Sequence, residues 1–132
     1  MTDRDLQKLR GVSPVLIDRL GRVLSAMDAL GFAMMVTDGL RTVERQRELY
    51  AQGRTAPGSI VTYADGVEKH SNHQKKLDGM GHAADCCFVV DGQPSWDSRL
   101  QWKAYGACAE ALGLTWGGSW TALHDLPHVE LV

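Results

Sequence analysis

Residues 83–90 read Ala83-Ala84-Asp85-Cys86-Cys87-Phe88-Val89-Val90, an apolar run of strand length with one carboxylate set into it. Side chains alternate faces along a strand, so Asp85 projects opposite Ala84 and Cys86 and shares its face with Cys87. A carboxylate in such a run needs a partner, because an ionised group taken out of water is costly unless it is paired or hydrogen-bonded. A neighbouring arginine or a backbone amide satisfies that need, and so does a metal ion. Upstream lie a polar, glycine-bearing loop from Ser71 to Gly81, the turn signal Asp65-Gly66, and a second short strand-like run, Ile60-Val61-Thr62-Tyr63.

Further out the periodicity becomes helical. Ser13 is placed to cap, Pro14 suits a first helical position, and Val15, Leu16, Leu20, Val23, Leu24, Met27 and Leu30 follow helical spacing up to Gly31. Phe32 to Thr37 has strand character and runs into the turn signal Asp38-Gly39. A second helix is expected after Thr42, stopping at Gly53, with Arg45, Gln46 and Glu48 outward and Leu49 inward. A third, about Ser98 to Leu112, places Leu100, Ala104, Cys108, Ala111 and Leu112 on one side and ends at Gly113. The tail is rich in Trp, Gly and His and closes on the strand-like His128-Val129-Glu130-Leu131. Helices grouped with short strands, rather than alternating strictly with them, predict an α+β fold with a mainly antiparallel sheet in a single domain spanning residues 1–132.

The bulk properties exclude several classes of function. At 132 residues the chain is long enough to bury a core without disulfides, and 44% apolar with 23% charged residues is ordinary for a globular domain. The formal net charge is -2 and the Lys and Arg residues are scattered, so no phosphate-tracking stripe is present and nucleic acid is not an expected partner. No apolar stretch approaches the roughly 20 residues that span a bilayer. The start, Met1-Thr2-Asp3-Arg4-Asp5, lacks the basic and apolar regions of a secretory signal, which predicts synthesis and retention in the cytoplasm. The three cysteines, Cys86, Cys87 and Cys108, are odd in number with two adjacent, and read as reduced thiols.

The chemistry-bearing residues cluster. Five histidines fall in two groups, His70, His73 and His82 near Asp78 and Asp85, and His124 and His128 near Asp125 and Glu130. That is metal-ligand composition. A catalytic zinc site takes three ligands of the His/carboxylate kind and leaves one position open for water, but composition does not select which three.

The order of motifs does resemble a known family. Ser71-Asn72-His73-Gln74, Asp78-Gly79-Met80-Gly81-His82-Ala83-Ala84-Asp85, Trp116-Gly117-Gly118-Ser119-Trp120 and Asp125-Leu126-Pro127-His128 resemble the motifs of phage L-alanyl-D-glutamate endopeptidases. Those enzymes group with zinc D-Ala-D-Ala carboxypeptidases and dipeptidases and share a fold with lysostaphin-type enzymes and hedgehog domains. Similarity extends upstream through Asp38-Gly39-Leu40-Arg41-Thr42, Gln46, Leu49 to Thr55 and Val61-Thr62, covering about residues 13–132. The resemblance implies one Zn2+ per chain held by His73, Asp85 and His128, with Asp125 as the acid/base. It further implies Arg41 as the partner of a substrate carboxylate, with Gln46 and Ser71 beside it in substrate binding. Many family members have a short His-x-x-Gly-x-Ala-x-Asp link, whereas an insert here separates His73 from Gly81, as in a subset of phage enzymes.

Competing assignments follow from spacing. His82, three before Asp85, falls on the opposite strand face and reads as a structural or rim histidine. Cys87 shares the face of Asp85 but fits a small buried residue better than a soft ligand. His70 and His124 are loop histidines without a ligand role, although His124 is near enough in sequence to steer a leaving group. Trp102, Trp116 and Trp120 read as packing residues ahead of groove residues. Glu130, on an extended segment, shares a face with His128 and is the alternative base.

The function expected from this set is zinc-dependent hydrolysis of a peptidoglycan stem peptide, at L-Ala-D-Glu, by a monomeric phage or prophage endolysin. It would wait in the host cytoplasm and act on the wall, in the periplasm, after release. The alternatives are a D,D-carboxypeptidase removing terminal D-Ala and a non-catalytic zinc-bearing binding module.

Overall fold

The computed structural model describes all 132 residues. In chain order they form α1 (Asp3–Lys8), α2 (Pro14–Ala29), β1 (Met34–Asp38), α3 (Val43–Ala51), β2 (Ala83–Val90), β3 (Gln93–Ser95), α4 (Trp102–Ala111), β4 (Leu114–Trp116), a 3-10 turn (Gly117–Ser119) and β5 (His128–Leu131). The strands make one five-stranded sheet ordered β1-β2-β5-β4, with β3 also on β2. Every pairing is antiparallel, so the α+β expectation holds. No helix is long and apolar enough to cross a membrane.

Strand β2 is central because both its edges are used. Asp85 pairs with Asp38 of β1 on one side and His128 of β5 on the other, while β3 takes the far end at Phe88–Val90. Its Ala84, Cys86 and Phe88 face a core closed by α2 and α4. Leu16, Leu20, Val23 and Met27 come from α2, and Trp102, Tyr105 and Ala109 from α4, with Val36, Leu114 and Val129 of neighbouring strands. Fully burying each large side chain contributes about 1.5–3 kcal/mol. Phe88 meets Trp102 edge-to-face at 4.8 Å, and the buried Tyr105 hydroxyl donates to the Pro127 carbonyl at 2.9 Å. That last bond ties the core to the turn that precedes β5.

A bulge in β1 sets up the opposite face. Val36 pairs with Cys86, but the register then shifts so that Asp38 lies opposite Asp85. Without the extra residue Asp38 would face Ala84 and point into the core, since a one-residue slip changes the face of every later side chain. The outer edge of β1 is covered by α1: buried Asp5 accepts from the Val36 amide at 2.9 Å, and Arg4 donates to the Val36 carbonyl at 2.9 Å. Such cover is a usual protection for an edge strand.

Several sequence expectations are corrected. Ile60–Tyr63 forms no strand; these residues belong to a long irregular segment between α3 and β2 and pair with no neighbouring strand, the Thr62 carbonyl accepting from the Arg54 side chain instead. Ser13 precedes α2 but makes no side-chain cap bond, and its amide donates to Gly81 instead. Val15 and Leu30 are exposed. Helix α4 starts at Trp102, not Ser98, because Asp97 closes a turn that takes the Leu100 and Arg99 amides. Its buried side is Trp102, Tyr105, Gly106 and Ala109, one step around from the predicted one. Gln46 is fully buried rather than outward. Unforeseen are α1, whose Thr2 and Asp5 form a capping box, and the short strands β3 and β4.

Candidate metal centre

Three side chains converge on the face of the sheet away from the core. Asp85 comes from the middle of β2, His128 is the first residue of β5, directly opposite it, and His73 arrives from the irregular segment. His73 is drawn in because its carbonyl accepts from the Arg41 amide at 2.7 Å and its ring Nδ1 meets the Gly39 carbonyl at 2.8 Å. Gly39 is required there, since a Cβ would lie 2.3 Å from the Lys8 carbonyl oxygen. His128 and Asp125 are joined by a turn in which the His128 amide donates to the Asp125 carbonyl, and the Asp125 amide donates to Gly117. Gly117 is equally constrained, a Cβ falling 2.4 Å from the Asp125 carbonyl oxygen.

The geometry fits a tetrahedral cation. His73 Nε2 and His128 Nδ1 are 3.1 Å apart, and Asp85 Oδ1 lies 3.4 and 3.3 Å from them. Ligands about 2.0–2.1 Å from a zinc ion at tetrahedral angles are separated by about 3.3 Å. The protonation pattern agrees. A carbonyl only accepts, so His73 donates from Nδ1 to Gly39, and His128 donates from Nε2 to Glu130 Oε1 at 2.7 Å. In each neutral ring the other nitrogen then turns a lone pair inward, the usual outer bonding of a metal-binding histidine. Asp85 Oδ1 is buried without a hydrogen-bond partner. Two lone pairs and a carboxylate oxygen crowded together are mutually repulsive unless a metal ion, or a proton on one of the rings, lies between them.

Electrostatics reinforce this. Burial works against the ionised Asp85, yet His73 and His128 hold its carboxyl well below the usual range. Burial also opposes a charged His128, but Asp85 and Glu130 win and raise it to about 9. Glu130 is lowered despite its burial by its bond from His128, and Asn72 also donates to it. Asp125 stands apart from the three, with Oδ2 3.9 Å from His128 Nδ1 and its side chain 43% exposed. Burial and the charge of Asp85 raise its pKa, which suits a group that must both take and give a proton.

Around this centre lies a cleft of about 650 Å³ lined by Arg41, Ser71, Trp120, His124, Asp125 and others. Arg41 donates from NH2 to Asp38 at 2.7 Å and from NH1 to Gln46 at 2.8 Å, 3.8 Å from Asp85, with its buried Nε unpartnered. Gln46 does not line the cleft: it accepts from Arg41 and donates to the Ala64 carbonyl at 2.8 Å from inside the fold. Ser71 lines the cleft and accepts from the His73 amide. His82 is held by Asp78 at 2.7 Å, outside the centre, and Cys87 is a buried free thiol outside it. His70 and His124 line the cleft without joining the centre. Trp102 is core, whereas Trp120 packs on His128 at 4.9 Å and lines the cleft, contrary to the packing expectation. Sequence reasoning missed Asp38, Asn72 and the Gly39 carbonyl. Glu130 was visible by its two-residue spacing from His128, but that spacing serves to orient the ring.

Comparison with known proteins gives consistent matches. A family model described as D-alanyl-D-alanine carboxypeptidase, of the peptidase M15 group, matches residues 65–131. The chain is 30% identical over 131 residues to the peptidoglycan L-alanyl-D-glutamate endopeptidase CwlK of Bacillus subtilis, covering 98% of this chain and 78% of that protein. It superposes on the L-Ala D-Glu endopeptidase ChiX of Serratia marcescens with a TM-score of 0.64 and 26% identity, covering 100% and 89% of the two chains. A D,D-pentapeptidase VanY from a VanB-type resistance cassette, solved with Zn(II), shares the fold with a TM-score of 0.63 at 17% identity, over 92% and 72% of the chains.

Proposed function

This chain belongs to the peptidase M15 family of D-alanyl-D-alanine carboxypeptidases, and we propose that within it the protein is a zinc peptidase hydrolysing the L-Ala-D-Glu bond of peptidoglycan stem peptides. The observation that carries this reading is the inward convergence of His73 Nε2, His128 Nδ1 and the orphaned Asp85 Oδ1, with Asp125 Oδ2 3.9 Å from His128 Nδ1. A zinc ion held by these three atoms would supply Lewis-acid polarisation of the scissile carbonyl and acidify the attacking water.

The remaining work falls to the chain's own residues. Asp125 takes the proton of the attacking water on its carboxylate and delivers it to the leaving amine nitrogen. Its raised pKa favours holding that proton between the two transfers. Glu130 is committed to His128 Nε2, the ring nitrogen turned away from Asp85, so it orients a ligand instead of serving as base. Arg41 and Ser71 line the cleft beside His73 and contact the bound peptide, with Arg41 fixed by Asp38 and Gln46. Trp120 and Leu123, on the same lining, exclude water.

The choice of bond rests on the relatives: both the 30% identical protein and the 26% identical structure are named as L-Ala-D-Glu endopeptidases. A monomer acting on the wall as a phage or prophage endolysin completes the reading. The test is digestion of purified peptidoglycan followed by mass spectrometry. New amino-terminal D-Glu supports the proposal. Release of free D-Ala alone makes the protein a D,D-carboxypeptidase, and an intact wall with zinc bound one per chain makes it a binding module.

A further inference from the structure

The cleft has two non-histidine cations on its lining, Arg41 and Lys69, and they are in opposite situations. Arg41 is nearly buried, with its terminal nitrogens engaged by Asp38 and Gln46. Its charge is already balanced inside the protein. Lys69 is exposed, and no carboxylate lies within ion-pair distance of its ammonium. The two carboxylates on the lining do not serve it: Glu130 is bound to His128 and Asn72, and Asp125 sits at the metal centre.

The backbone that carries Lys69 is nevertheless tightly built. Asp65 Oδ1 accepts from the amides of Val67, Glu68 and Lys69 at 2.9–3.0 Å, and the Gly66 amide donates to the Lys69 carbonyl at 3.0 Å. This turn is anchored from within by two buried glutamines. Gln74 donates to the Gly66 carbonyl at 3.0 Å, and Gln46 packs so closely on Gly66 that a Cβ there would lie 3.0 Å from its Cβ and Cγ. A long flexible side chain is thereby held at a fixed origin on the cleft wall, a lining it shares with Ser71 and the apolar Ile60, Val61 and Tyr63.

We infer that Lys69 reads a free carboxylate of the substrate away from the scissile bond, so that the protein prefers stem peptides with that carboxylate free over peptides in which it is amidated. The inference rests on the peptidase reading above and names the substrate class of the same cleft. The interaction is an ion pair of a compact ammonium at a partly exposed site, so its expected size is about fivefold at low ionic strength, and salt weakens it.

The experiment measures kcat/KM of the zinc-loaded protein on a synthetic stem pentapeptide and on its forms with one carboxylate at a time converted to carboxamide. In the wild type one amidation should lower kcat/KM about fivefold, through KM, and 0.5 M salt should shrink the difference. Lys69→Met should abolish the preference, so that the free-carboxylate and amidated peptides are cleaved at equal kcat/KM, and Lys69→Arg should restore it. A preference that survives in Lys69→Met overturns the inference and assigns the recognition elsewhere, with Arg41 the next group to examine. A wild type that cleaves every form equally overturns it too, while leaving the peptidase reading standing. Failure to cleave any form at all overturns the peptidase reading and this inference with it.

Discussion

At the scale of single residues the centre separates into atoms that would hold a metal, atoms that aim those atoms, and one carboxylate free to exchange a proton. Asp125→Asn removes only the last. It should keep metal content and folding while lowering turnover by about 10²–10⁴-fold, the usual contribution of a positioned acid or base. Glu130→Ala removes the acceptor that fixes the His128 ring, and should weaken metal affinity about 10–100-fold, as loss of such an outer partner does. Metal titration of both variants beside peptide hydrolysis distinguishes the roles, and an Asp125→Asn protein with full activity would reverse the assignment. His128 adds a pH dependence. Its metal-free pKa is raised to about 9, so below that pH a metal must displace a proton, and apparent affinity should fall about tenfold per pH unit from 9 towards 7. The same shift stabilises the metal-free fold below the unfolded value of about 6.5, a contribution lost as pH rises through about 9. Competition with a chromogenic chelator across this range measures the first effect, and thermal melts of the metal-free protein the second.

At the scale of elements, the regular strands supply two of the three ligands and an irregular segment the third. Strand β2 places Asp85 and strand β5 places His128 by register alone. His73 has no such template: the Arg41 amide and the Gly39 carbonyl hold it, and buried side chains hold the cleft wall beside it. Gln46 is the clearest case, joining Arg41 to the Ala64 carbonyl in the interior. Gln46→Leu should cost about 1–3 kcal/mol in chemical denaturation, because it strands buried polar groups on both sides. It should also lower kcat/KM more than metal affinity, since His73 keeps its own bond to Gly39. Equal loss of both would mean that Gln46 supports the whole centre and not the cleft wall.

For the molecule as a whole, the core and the centre lie on opposite faces of one sheet, so the fold does not depend on the metal for its apolar packing. A ligand that binds only the folded state adds stability by mass action. With zinc about 100-fold above its dissociation constant the gain is about 2.7 kcal/mol, or on the order of 10 °C in Tm for a chain of this size. Chelation should lower Tm by that amount and zinc should restore it. A Tm indifferent to chelator in a protein shown to have lost its metal would contradict the arrangement described for Asp85 Oδ1.

The sequence by itself determined the helix α2, the strand β2 and its unexplained carboxylate, the closing strand β5 and the Asp125-to-His128 turn. These are set by periodicity and by turn residues, which act between neighbours along the chain. The motif order also singled out His73, Asp85 and His128 before any of them was known to meet. Only the tertiary structure decided that Asp38 faces Asp85, because a bulge in β1 leaves no mark in residue type. It alone showed that Gln46 points inward, that Ile60–Tyr63 is a cleft wall and no strand, and that Glu130 with Asn72 aims His128. Each of these depends on contacts between residues far apart in sequence, Asn72 and Glu130 being separated by 58 positions, and such contacts have no periodicity for a sequence to display.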